Sequence, residues 1–150
     1  MQVIIVISPS EAKEKAASGW FDTWLSFEGM AINQEVIRTA LESLVKRLDA
    51  DSKVRVYEKN YLEPAKVENP FKGIKEAWSQ VVNIKLVAKN FDDLVQMIIE
   101  YGPSSVEIIG PPKSQLSVRE AQDILNNIAA MMHRYAAAGI GGAVVVQGKQ

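Results

Sequence analysis

The second half of the chain alternates strand and helix, and this order constrains the fold more than any other feature of the sequence. In residues 80–89 (QVVNIKLVAK), Val82, Ile84, Leu86 and Ala88 point one way while Asn83, Lys85 and Lys89 point the other, as in a half-buried strand. Asn90 then caps a helix over residues 91–101, whose apolar stripe is Phe91, Leu94, Val95 and Ile98. Asp92 and Asp93 lie in its first turn, where the helix dipole favours carboxylates, and Gly102 stands where a left-handed cap is expected. A strand over residues 105–109 (SVEII) follows between two Gly-Pro turn signals. Ser117 and Glu120 form a capping box for a last helix reaching about residue 138, with Ile124, Leu125, Ile128 and Tyr135 on its inner side.

The first half is less regular. Residues 3–7 read as a buried β-branched strand, and Ser8-Pro9-Ser10-Glu11 as a capped helix start. Residues 20–32 (WFDTWLSFEGMAI) show no clean period and are expected to form an irregular or briefly helical connection. Asn33 caps a helix to about Asp49 with a stripe of Val36, Ile37, Ala40, Leu41, Leu44, Val45 and Leu48. Residues 52–59 alternate as a strand with Lys53, Arg55, Tyr57 and Lys59 on its wet face. A loop is expected over residues 61–70, with a helical turn or two from Asn69-Pro70 to Ala77, and a short terminal strand over residues 142–147. The 150 residues are the size of one domain, and any internal boundary is expected within residues 61–70.

Composition excludes several classes of chemistry. With no cysteine there is no disulfide, thiolate metal site or thiol catalysis. Seventeen basic against eighteen acidic residues remove the general electrostatic case for a nucleic-acid partner. Residues 1–8 lack a basic leader and are too short to span a membrane, so a cytoplasmic protein with no membrane partner is expected. The absence of cysteine together with abundant Lys, Glu and Ile suits a thermophile.

The candidate sites are few. His133 is the single histidine, with no serine elbow to complete a hydrolytic triad. Gly139-Ile140-Gly141-Gly142 follows a helix, the reverse of a phosphate loop, and no carboxylate grouping has the spacing of a metal site, so neither metal nor cofactor is expected. The aromatic stretch Trp20, Phe21, Trp24 and Phe27 fills space over a sheet, or forms a pocket wall or dimer contact. Tyr57, amid Lys53, Arg55, Lys59, Lys85 and Lys89, suggests a basic and aromatic sheet surface, although paired RNA-recognition aromatics are absent and Glu58 and Glu63 dilute the charge.

Residues 81–135 resemble a known module. The strand VVNIKLV, the corner with Asp92 and Leu94, the helix end LVQMIIEYGP, the strand VEIIGPP and a long helix ending in Tyr135 are similar to the C-terminal extension of WYL-type transcriptional regulators. The resemblance implies a ferredoxin-like fold and a role in effector sensing and oligomer contacts. The expected fold is an α+β, ferredoxin-like two-layer sandwich: a mostly antiparallel sheet of four to five strands with helices on one face. The expected function is a non-enzymatic ligand-sensing or protein-association module, homodimeric, with a small-molecule effector as a further partner. Its candidate ligand or interface residues are Trp20, Phe21, Trp24, Phe27, Tyr57 and His133. The alternatives are a small enzyme using Glu28, Tyr57, Glu107 and His133, or an RNA binder using the basic sheet face.

Overall fold

A computed structural model describes residues 6–138. They divide between Lys113 and Ser114 into two compact units. The first holds three helices, α1 (Pro9–Ala17), α2 (Gln34–Asp49) and α3 (Phe91–Tyr101), and five strands, β1 (Phe21–Ala31), β2 (Val54–Tyr61), β3 (Ala65–Phe71), β4 (Ile74–Ala88) and β5 (Ser105–Gly110). The second holds α4 (Val118–Ala137).

The five strands pair antiparallel throughout, with β2-β4-β1-β5 side by side and β3 added to β4. With β3 set aside, the chain runs β1-α2-β2 and then β4-α3-β5, and each strand–helix–strand unit leaves a gap that a strand of the other fills. This interleaving is the ferredoxin-like arrangement, an α+β sandwich. The strand β1 is central and pairs with β4 along its whole length, from Phe21 opposite Ala88 to Ala31 opposite Trp78.

The helices α2 and α3 cover one face. Ile37, Leu41, Val45 and Leu48 of α2, and Leu94, Met97 and Tyr101 of α3, pack onto Phe21, Leu25 and Phe27 of β1, Val54 and Val56 of β2, and Val82, Ile84, Leu86 and Ala88 of β4. Each fully buried aliphatic side chain stabilises the fold by roughly 1.5–3 kcal/mol, which is why these positions hold the period of each element. Gly29 on β1 allows α2 to approach closely, because a Cβ there would collide with Ile37 Cδ1. The caps are as the sequence implies: Ser8 and Glu11 form a capping box, Asn33 accepts from the Val36 amide, Asn90 from the Asp93 amide, and Gly102 closes α3 in the left-handed region at φ 61°.

The short α1 contacts β1, β2 and β4. Trp20, just after it, has the Lys15 ammonium 4.4 Å and the Arg55 guanidinium 5.7 Å from its ring centroid. Arg55 projects away from Val54 and Val56, which places α1 against the far face at the end of the sheet, where Val87 is fully buried. Val6 pairs in parallel with Val56 at the β2 edge. The rest of the strand expected over residues 3–7, and the one expected over 142–147, lie outside the described residues.

Two stretches depart from expectation. Residues 20–32, expected as an irregular or briefly helical connection, are the central strand: Phe21, Thr23, Leu25 and Phe27 are buried, while Asp22, Trp24, Ser26 and Glu28 alternate with them. Residues 61–77, expected as loop and helical turns, are instead the end of β2, β3 and the start of β4. Pro70 is accommodated because it lies, with Asn69 at φ 50°, in the register shift between Glu68 and Phe71, where the β3–β4 ladder makes no pair to interrupt.

In the second unit, α4 begins at the Ser117–Glu120 capping box. Ile124 and Met131 are buried, whereas Leu125, expected on the inner side, is exposed.

Candidate functional site

On the sheet face away from α2 and α3, the same alternation that builds the core presents polar and aromatic side chains. From β1 come Asp22, Trp24, Ser26 and Glu28, and opposite them on β4 lie Val87, Lys85, Asn83 and Val81. β5 sets Glu107 opposite Trp24 and Ser105 opposite Ser26. These strands and β2 enclose an open trough of about 580 Å³, lined among others by Trp24, Ser26, Asn83, Lys85, Glu58 and Glu107.

A bulge in β2 decides which side chains reach this face. The register gains one residue between Val56 and Glu58, leaving Tyr57 without a partner across the ladder. Glu58 then pairs with Lys85 and Lys59 with Ile84, so Glu58 and Asn60 turn to the trough and Lys59 turns to the helix side. Lys59, expected on the wet face with Lys53 and Arg55, instead forms an ion pair with buried Asp49 of α2. The proposed basic stripe is therefore broken: Lys53 is paired with Asp51 and Glu100, and Lys85 with Glu58.

The trough side chains are linked. The Lys85 ammonium is 3.0 Å from a Glu58 carboxylate oxygen and 4.2 Å from the Trp24 ring centroid. The Trp24 indole N–H donates to the Tyr57 hydroxyl at 3.2 Å, and that hydroxyl donates to Asp22 Oδ1 at 2.6 Å. On the floor, Ser26 Oγ donates to Asn83 Oδ1 at 2.6 Å. Burial, and then the bond to the Asp22 carboxylate, push the Tyr57 hydroxyl up to about 12. Near neutrality it stays protonated, donating to Asp22 while it accepts from the Trp24 indole. The indole is oriented from both ends while its exposure stays at 39%.

Two other polar clusters lie elsewhere in the first unit. Between α2 and β2 is a cleft of about 600 Å³ lined by Thr39, Glu42, Ser43, Asp49, Lys59 and Tyr61 among others. Burial, then Glu42 and Asp49, raise the Tyr61 hydroxyl. At the α3 end, the Tyr101 hydroxyl donates to Asp51 at 2.8 Å and the Lys53 ammonium at 3.2 Å. Burial alone would raise the Asp51 carboxyl, but these donors and the Lys53 amide outweigh it and hold it below its ordinary value.

The six residues singled out in the sequence part company here. Trp24 and Tyr57 meet on the open face, joined by their hydrogen bond. Phe21 and Phe27 face the helices in the core, and Phe21 packs against Phe91 with ring centroids 5.8 Å apart. Trp20 lies by α1 with its ring against Lys15 and Arg55. His133 is exposed on α4, in the second unit. Of the residues considered for acid–base chemistry, Glu28 accepts a hydrogen bond from Ser79, and the Tyr57 hydroxyl is engaged by Asp22 and Trp24. Ser26, Asn83, Glu58 and Asn60 were not singled out in the sequence. Ser26 follows from the period-two pattern of residues 21–28, read with Trp24 on the polar side, and Asn83 from that of residues 80–89, whereas Glu58 and Asn60 reach the trough through the β2 bulge, which the sequence does not signal.

Among the described residues, no group of three or more His, Asp or Glu side chains is placed to hold a metal ion, and no helix is long and apolar enough to cross a membrane. The first unit is thus a ferredoxin-like α+β domain with one face covered by α2 and α3 and the other, covered at one end by α1, otherwise open, polar and aromatic. The sequence model of the MJ0538 family matches residues 22–149, and the chain belongs to that family. No curated protein matches the chain, and no solved structure does.

Proposed function

We propose that the chain is a non-enzymatic association module that works as a homodimer, with the open sheet face as its contact surface. The observation that carries this reading is the linked row Glu58, Lys85, Trp24, Tyr57 and Asp22. It spends several interactions on fixing one large aromatic side chain in an exposed trough. A pre-oriented Trp surrounded by paired charges loses little freedom when a partner arrives, and such aromatics dominate contact energetics. The resemblance of residues 81–135 to the C-terminal extension of WYL-type regulators points the same way, towards oligomer contacts and effector sensing. Light scattering on the eluting protein across a concentration series tests the reading. A mass of two chains is expected; a single-chain mass at every concentration overturns it.

A second reading has one observation in its favour. The trough volume of about 580 Å³ is that of a small-molecule site, and its floor carries convergent polar groups from Ser26 and Asn83. If an effector binds there, native mass spectrometry of the purified protein shows a retained mass that is lost in Trp24→Ala.

A further inference from the structure

Resting on the homodimer reading, we propose that the tip of the β3–β4 hairpin of each chain inserts into the open-face trough of a second copy. β1 ends opposite Trp78, while β3 and β4 run on together to the pairing of Phe71 with Ile74. The hairpin therefore extends beyond β1 as a two-stranded arm. Its turn is made by Gly73 at φ 84°. Phe71 is 65% exposed and Ile74 38% exposed at its end, an arrangement that water does not favour.

Charge assigns the occupant. The tip sequence from Asn69 to Lys75, NPFKGIK, holds Lys72 and Lys75 and no acid. The trough carries Glu58 and Glu107 against one base, Lys85. Lys85 is already paired with Glu58, and among the described residues Glu107 forms no ion pair. A cationic, apolar tip and an acidic trough with an exposed indole complement one another on both counts: Glu107 takes a tip lysine, and the Trp24 ring takes Phe71.

The tip cannot reach the trough of its own chain. Ile74 and Lys85 lie on the same strand, and eleven residues of extended backbone separate them by about 36 Å. Between two copies, each tip can fill the other's trough. Made twice about a two-fold axis, that contact closes on itself as a dimer and leaves no free tip or trough to extend a chain of subunits.

Because the chain has no cysteine, a designed pair reports this contact without background. The variant Lys72→Cys with Glu107→Cys, oxidised under mild conditions, is expected to run as a cross-linked dimer on a non-reducing gel. The single variants mixed with each other should cross-link as well. Lys72→Cys with Lys13→Cys, whose second thiol lies on exposed α1, should stay at the level of random collision. In parallel, Lys72→Glu should weaken the dimer about tenfold through like charge facing Glu107, and Lys72→Glu with Glu107→Lys should restore it. A dimer by light scattering that cross-links no better than the Lys13 control, or that Lys72→Glu leaves unchanged, overturns the arm contact and leaves the association reading intact. A monomer at every concentration overturns both.

Discussion

The two faces of one sheet use adjacent residues for opposite purposes. On β1, Phe21, Thr23, Leu25 and Phe27 are buried beneath α2 and α3, while Asp22, Trp24, Ser26 and Glu28 face the open side. On β4, Ile84 is fully buried and its neighbour Lys85 crosses to Glu58 and Trp24. The helix-side face is held by apolar burial, which charge screening does not weaken and which is intolerant of lost volume. The open face is held by hydrogen bonds and part-exposed charges, each worth little to stability. Stability and association should therefore separate by substitution at alternate positions of the same strand.

The sharpest way to break that comparison is a pair of neighbours on β4. Ile84→Ala should cost about 2–5 kcal/mol in urea unfolding, whereas Lys85→Ala should cost less than about 1 kcal/mol. Similar losses from the two would mean that the open face is core after all. Next in size, Gly29→Ala places a Cβ against Ile37 Cδ1 and should cost less than the roughly 1–3 kcal/mol typical of overpacking, because only the tip of that side chain has to turn. Adding Ile37→Val should recover part of that loss; no recovery would put the strain elsewhere.

The pH dependence differs between the two sides of the sheet as well. On the helix side, the Asp51 carboxyl is held below its ordinary value in the folded protein, so its charge stabilises the fold above about pH 3.9, the unfolded value. That stabilisation is lost as pH falls through the lower folded value. Asp51→Asn should therefore be less stable near neutrality and show a shallower decline in melting temperature on acidification. On the open face the sign reverses. Tyr57 titrates at about 12 when folded, so its contribution is complete below about pH 10 and is lost as pH rises towards 12. Tyr57→Phe should flatten that alkaline decline and, near pH 7, lose only the modest stabilisation of the hydroxyl's two part-exposed hydrogen bonds, the smallest effect of this set, and ultraviolet titration of tyrosinate should lose one late-ionising group.

Sequence legibility followed the same division. Elements with a buried stripe and a good cap could be read directly: α2 behind Asn33, α3 between Asn90 and Gly102, and α4 behind Ser117. β1 was obscured because its alternation is inverted in character at two positions, with Thr23 buried and Trp24 exposed, and because Gly29, placed by the approach of α2, resembles a break. β3 carries no alternation, since neither of its faces is covered and its burial pattern is nearly all exposed. The open-face site was half legible. Trp24 and Tyr57 could be picked out as aromatic residues, but their meeting depends on the unpaired position in β2, and a bulge leaves no local signature in the run VRVYEKNY. The same bulge sends Lys59 to Asp49, so strict alternation misplaced it.

The central claim is that Trp24 is held exposed for a partner and not for the fold, and one variant tests it directly. Trp24→Glu should leave the thermal unfolding midpoint within a few degrees of the parent while light scattering shows a single-chain mass where the parent shows two. A variant that stays dimeric, or one that loses its fold along with its partner, would contradict the account.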